Sequence, residues 1–79
     1  MLEMDCVFNE WKHHFLEVSS TKEFKTEAVT CYLKSSINTS FFEMFETLKT
    51  LCSRYGLRPE LINTKQDSNG NYIKIRLTT

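Results

Sequence analysis

Apolar side chains at Met4, Val7, Phe8, Trp11, Phe15 and Val18 recur every three or four positions, which predicts an amphipathic helix over about residues 3–18. Glu10, His13 and Glu17 fall on the opposite side, with His14 at the flank. The run Val18-Ser19-Ser20-Thr21 ends the pattern with hydroxyl side chains that compete for backbone hydrogen bonds and favour a turn. From Ala28 to Leu33 the period changes. The run is β-branched and aromatic, and alternation sets Val29, Cys31 and Leu33 on one face and Ala28, Thr30 and Tyr32 on the other, which predicts a strand. Phe24 and Ala28, four apart, leave a short helix as the competing reading.

The second helical pattern is better punctuated. Ser40 followed by Glu43 reads as a capping box, hydroxyl and carboxylate satisfying free amides at the helix start. Phe41, Met44, Phe45, Leu48, Leu51, Cys52 and Tyr55 form one apolar stripe. Gly56 suits a left-handed stop, Leu57 can close the hydrophobic contact onto the last turn, and Pro59 forbids continuation. Lys49 and Arg54 favour the negative pole of the dipole. These signals predict a helix over 41–55.

Residues 61–78 read as a hairpin around Asn69-Gly70, the preferred pair for a type I′ turn. That turn pairs Gln66 with Ile73, Thr64 with Ile75 and Ile62 with Leu77, which gives the hairpin one buried face. The other face then holds Asn63, Lys65, Asp67, Tyr72, Lys74 and Arg76, with Lys65 opposite Lys74 and Asn63 opposite Arg76. The predicted fold is α+β: a single domain over residues 1–79, ordered α-β-α-β-β, with a three-stranded, mainly antiparallel sheet and two helices packed on one face.

Length and composition narrow the function classes. The chain has 79 residues and no formal net charge, so it lacks the global field that draws proteins to nucleic acid, and such binding would need a local patch. Charge is graded all the same: residues 1–20 carry one base against four acids, and residues 61–79 three bases against one acid. Membrane association is not expected, because no apolar run approaches the ~18–20 residues of a membrane span, and the acidic start differs from a secretory leader. Three cysteines, Cys6, Cys31 and Cys52, exclude a fully paired disulfide framework and suggest a reducing, cytoplasmic setting. His13 and His14 are adjacent and diverge by about 100° on a helix, so they cannot share a metal from one face.

No Gly-rich phosphate loop, serine elbow, H-E-x-x-H or C-x-x-C stands in the sequence. A Cys–His pair is disfavoured because each cysteine falls in an apolar stripe or strand. Catalysis, a cofactor and a metal are therefore not expected. Two readings of the hairpin's polar face remain. It is the wet face of an antiparallel sheet, or it is a contact surface in which cations beside aromatic rings hold an anionic partner. If Phe24, Tyr32 and Tyr72 emerge on the uncovered side, that face is aromatic enough to mark an interface; in the alternative, Phe24 and Tyr32 fold under the loop 35–39.

A capped helix followed by a basic hairpin, residues 40–79, resembles the helix and wing of winged DNA-binding domains. In size and composition alone the chain is similar to the short accessory proteins that phages make against host machinery. The expected function is a small non-catalytic protein-binding module, an inhibitor or modulator of a larger protein or nucleoprotein complex. Lys65, Tyr72, Lys74, Arg76, Tyr32 and Arg58 are the expected contact residues, with Arg54 extending the patch and Trp11 a second candidate anchor. A homodimer through the open face is one form it would take. The alternative is a weak nucleic-acid-binding domain using the wing-like hairpin.

Overall fold

The computed structural model describes residues 4–22 and 28–78, with the backbone alone described at residues 4–6 and 22. Its elements are α1 (Met4–Trp11), β1 (Glu17–Lys22), β2 (Val29–Ser35), α2 (Phe41–Ser53), β3 (Arg58–Asp67) and β4 (Gly70–Thr78). The sheet has four strands in the order β1-β2-β4-β3, every neighbouring pair antiparallel. The α+β class and the β2, α2 and hairpin segments agree with expectation; the sheet of three strands does not, because β1 adds a fourth.

That strand comes out of the expected first helix. The helix ends at Trp11 in turns that join the Phe15 amide to the Trp11 carbonyl at 3.0 Å. The chain then extends, and the Leu16 amide bonds the Lys34 carbonyl at 2.8 Å at the entry to β1. Phe15 lies four residues after Trp11 and is buried in the core beside it, so the spacing is satisfied by a turn as well as by a helix. From Val18 onward the β-branched and hydroxyl residues prefer the extended backbone, and the ladder with β2 outweighs a helix they would weaken.

β2 shows the expected alternation, with Val29, Cys31 and Leu33 buried and Tyr32 exposed. Ala28 differs: it precedes the strand and is buried, not outward-facing. Phe24 lies outside the described residues. At the start of α2 the Ser40 Oγ accepts the Glu43 N–H at 3.1 Å. Gly56 takes φ 67° and Leu57, buried, donates its amide to the Cys52 carbonyl at 3.1 Å. The helix closes two residues early. Tyr55 leaves the apolar stripe, lies exposed and donates its hydroxyl to Glu10 of α1.

The hairpin register is offset by two from the one an Asn69-Gly70 turn would set, because the two-residue loop is Ser68-Asn69. Asp67 pairs with Gly70, Lys65 with Tyr72, Thr64 with Ile73 and Asn63 with Lys74. A type I′ turn needs φ above zero at both central residues, and no described non-glycine residue has it. Asp67 instead closes the turn through Oδ1, which accepts the Asn69 amide at 2.8 Å and the Gly70 amide at 3.2 Å. Gly70 is needed for room, since a Cβ there would fall well inside contact distance of the Ser35 carbonyl oxygen of β2.

A shift of two leaves the side chains of β4 and of residues 63–67 on their original faces, so Ile73, Ile75 and Leu77 are all buried as expected; beyond the bulge, residues 58–61 exchange faces. Four expected details are overturned. Lys65 faces Tyr72 and not Lys74; Asn63 faces Lys74 and Arg76 faces Glu60. Ile62 does not line the buried side: it sits in a bulge between Leu61 and Asn63 and is 46% exposed. Thr64 is exposed too, although it faces Ile73.

Val7, Trp11 and Phe15, the inward residues of α2 and those of β2 and β4 meet in one core with Leu57. The Phe8 ring meets Trp11 edge-on, centroids 5.4 Å apart. One polar side chain is buried beside the turn: Asn71 donates to the carbonyls of Thr39 at 2.6 Å and Ile37 at 3.4 Å and accepts from Gln66 at 2.8 Å. It ties the loop before α2 to the base of the hairpin turn.

Candidate binding face of the sheet

Alternation along four paired strands builds the outer face in rows. One row reads Glu17, Lys34, Tyr72 and Lys65 across β1, β2, β4 and β3. The next reads Ser19, Tyr32, Lys74 and Asn63, and the third Thr21, Thr30, Arg76 and Glu60. Two tyrosines therefore lie diagonally on neighbouring central strands, each with lysines on adjacent strands.

The contacts follow from that grid. Lys34 Nζ lies 5.6 Å and Lys65 Nζ 5.5 Å from the Tyr72 ring centroid, so the ring has an ammonium from each flanking strand. Lys74 Nζ lies 5.8 Å from the centroid of Tyr32, its cross-strand partner. Such cation–π contacts contribute roughly 0.5–1 kcal/mol each at exposed sites. Among the described residues, acidic groups balance the patch at its margins, with Glu17 at 3.5 Å from Lys34 and Asp67 at 3.9 Å from Lys65. Partial burial lowers the pKa of Lys34, but Tyr72 and the Glu17 carboxylate outweigh this and hold the ammonium above its ordinary value.

Two open hollows flank the tyrosines. One, of about 280 Å³, is bounded by Tyr32, Tyr72, Asn63, Lys65 and Lys74. The other, of about 490 Å³, lies toward β1 against Lys12, Leu16, Glu17 and Lys34 as well as both tyrosines. Leu16, 66% exposed, gives this second hollow an apolar rim.

Of the expected contact residues, Lys65, Tyr72, Lys74 and Tyr32 come together here. Tyr32 does not fold under the loop 35–39; it is 44% exposed. Arg76 shares the face one row further on, opposite Glu60. Arg58 faces Thr78 at the far end of β3, about 20 Å of strand from Lys65. Arg54 is not part of the patch, since its Nη1 holds Glu10 Oε1 at 2.5 Å where α2 meets α1. Trp11 is fully buried and cannot touch a partner. Lys34 was missed, though the alternation that turns Tyr32 outward carries it there too: β2 runs to Ser35, beyond the Leu33 at which the apolar signal stops.

Cys31 and Cys52 are free and buried, and burial pushes their thiols up to about 12 and about 11, so neither is a thiolate near neutral pH. Among the described residues no cluster of three or more His, Cys, Asp or Glu could hold a metal ion, and no helix is long and apolar enough to cross a membrane. No family model matches the chain, and neither a curated protein nor a solved structure matches it at a significant level.

Proposed function

We propose that the chain is a non-catalytic binding module, with both helices packed on the buried side of the sheet and the outer face offered to an acidic protein surface, in the manner of an inhibitor or modulator of a larger complex. The observation that carries this reading is the tyrosine–lysine lattice: Tyr72 between Lys34 and Lys65, and Tyr32 beneath Lys74. Tyrosine is enriched at protein interfaces because it supplies a large, rigid contact with a polar tip. Ammonium groups held over its ring are already positioned for carboxylates, and little ordering is left to do on binding.

Nucleic acid is the second reading, favoured by two outward tyrosines on adjacent strands, an arrangement on which bases can stack. It ranks lower because a base stacking on Tyr72 would displace an ammonium already there, and because four clustered cations neutralise too few phosphates for tight binding at physiological salt.

Affinity capture from source-cell lysate, nuclease-treated, tests the proposal with the wild type beside Lys65→Glu/Lys74→Glu and Tyr32→Ala/Tyr72→Ala. A protein retained by the wild type after nuclease and lost with both variants supports it. Capture that disappears with nuclease turns the reading to nucleic acid, and capture indifferent to both variants contradicts either use of this face.

A further inference from the structure

β3 is a terminal strand of the sheet, ten residues long and exposed along most of its length, with Leu61 and Ile62 at its centre. An edge of this kind is a template for another strand unless something blunts it. Two observations identify the amides on its free side. Pro59 has no N–H, and proline is accepted in a sheet where that donor would face away from the ladder. The Thr64 N–H is taken by the Asn63 side-chain oxygen at 2.9 Å, as befits an amide turned away from β4. With the bulge at Ile62, residues 59, 61, 64 and 66 present their backbone groups outward.

The charges of the strand are self-complementary. Arg58, Glu60, Lys65 and Asp67 read plus, minus, plus, minus. Laid antiparallel on itself about a two-fold axis between Ile62 and Asn63, the strand sets Arg58 against Asp67 of the second copy and Glu60 against its Lys65, while Leu61 meets Thr64 and Pro59 meets Gln66. All four charges meet their opposites. In a regular strand this would fail, because such an axis joins even to odd positions and these point to opposite faces. The bulge removes the conflict. Arg58 and Glu60 face Thr78 and Arg76, and Asn63 and Lys65 face Lys74 and Tyr72, so all four lie on the outer face.

We propose that β3 pairs antiparallel with β3 of a second copy, joining two four-stranded sheets into one of eight strands with a continuous outer face. Glu60 then sits between Arg76 of its own chain and Lys65 of the second copy. The Thr64 amide exchanges its bond to Asn63 for the carbonyl of Leu61 across the axis.

Sedimentation of the whole chain over roughly micromolar to millimolar concentration tests this. The expected mass is twice 9.3 kDa at the upper end. Glu60→Lys and Lys65→Glu each place like charges together twice in the symmetric dimer and are expected to raise its dissociation constant about tenfold or more. The double variant Glu60→Lys/Lys65→Glu restores opposite pairing and is expected to return within about threefold of wild type, although within one chain it sets the introduced ammonium against Arg76. Far-UV circular dichroism confirms that each variant is folded, and Lys65, well exposed, gives the variant least able to disturb the fold. A monomer at every concentration overturns the proposal. So does a dimer indifferent to both single changes, which would place the contact elsewhere, or a double variant no tighter than the singles.

Discussion

Lys74 stands over the ring of Tyr32, its directly paired neighbour across β4 and β2, with the ammonium 5.8 Å from the ring centroid. The contact needs both strands in register and both side chains outward, so it reports on the outer face as a whole. A double-mutant cycle with Tyr32→Leu and Lys74→Met, followed by urea denaturation, is expected to give a coupling of about 0.5–1 kcal/mol. Coupling near zero would mean that the ammonium is merely in solvent.

Asn71 carries a larger share of stability than its place beside a turn suggests. Its side chain satisfies two backbone carbonyls of the loop before α2 and takes a hydrogen from Gln66 while itself buried. Asn71→Ala leaves those groups without a partner, and the expected loss is about 1–3 kcal/mol, read as a lower urea midpoint. Asn71→Asp, which keeps the shape and loses the donor, is expected to be no better.

At Gly70 proximity to β2 adds to the cost of a positive φ of 156°. Because a Cβ would collide with the Ser35 backbone oxygen, which has no flexible end to move aside, Gly70→Ala is expected to cost about 1–3 kcal/mol in thermal or urea unfolding. Gly56→Ala meets open space, and its expected cost of about 1 kcal/mol comes from the left-handed backbone alone. Equal effects at the two sites would contradict this separation.

The same two glycines show which parts of the fold could be read from the sequence. Gly56 was legible because a helix stop has a local signature, and α2 follows from Ser40 to Leu57 nearly as expected. Gly70 was read as a turn former, but its role depends on Ser35, which is 35 residues away in the chain. Alternation in β2 and β4 identified the buried face, and a hairpin shift of two could not disturb it. Ile62 was misplaced because a bulge has no marker in a run of Leu, Ile, Asn and Thr. The helix–strand boundary after Trp11 was hidden because a turn buries Phe15 and the inner face of β1 takes Val18, so residues at helical spacing reach the core without a helix. Of the site, Tyr32, Lys65, Tyr72 and Lys74 were legible from alternation. Arg54 and Trp11 were not excluded, because only tertiary packing hands one to Glu10 and the other to the core.

Acid should loosen the junction of α1 and α2. The Tyr55 hydroxyl bond holds the Glu10 carboxyl below its usual value of about 4.5; burial opposes it, and the Arg54 guanidinium assists it. A depressed folded-state value means that this contribution is complete above the unfolded value and is lost as pH falls through the folded one. Glu10→Gln is therefore expected to be less stable than wild type at neutral pH, with the gap closing below about pH 4.5. Melting temperatures of both proteins from about pH 7 to 3 check this, and a gap that stays constant would rule the ion pair out as its origin.

The most direct test of the account is lysine footprinting by acetylation and mass spectrometry, on the free chain and on the complex captured from nuclease-treated lysate. Lys49, on the exposed side of α2 beside Glu46, is the internal reference. Labelling of Lys34, Lys65 and Lys74 is expected to fall several-fold in the complex while Lys49 is unchanged. Protection of Lys49 with Lys65 and Lys74 still freely labelled would contradict the claim that the outer face of the sheet is where this protein binds.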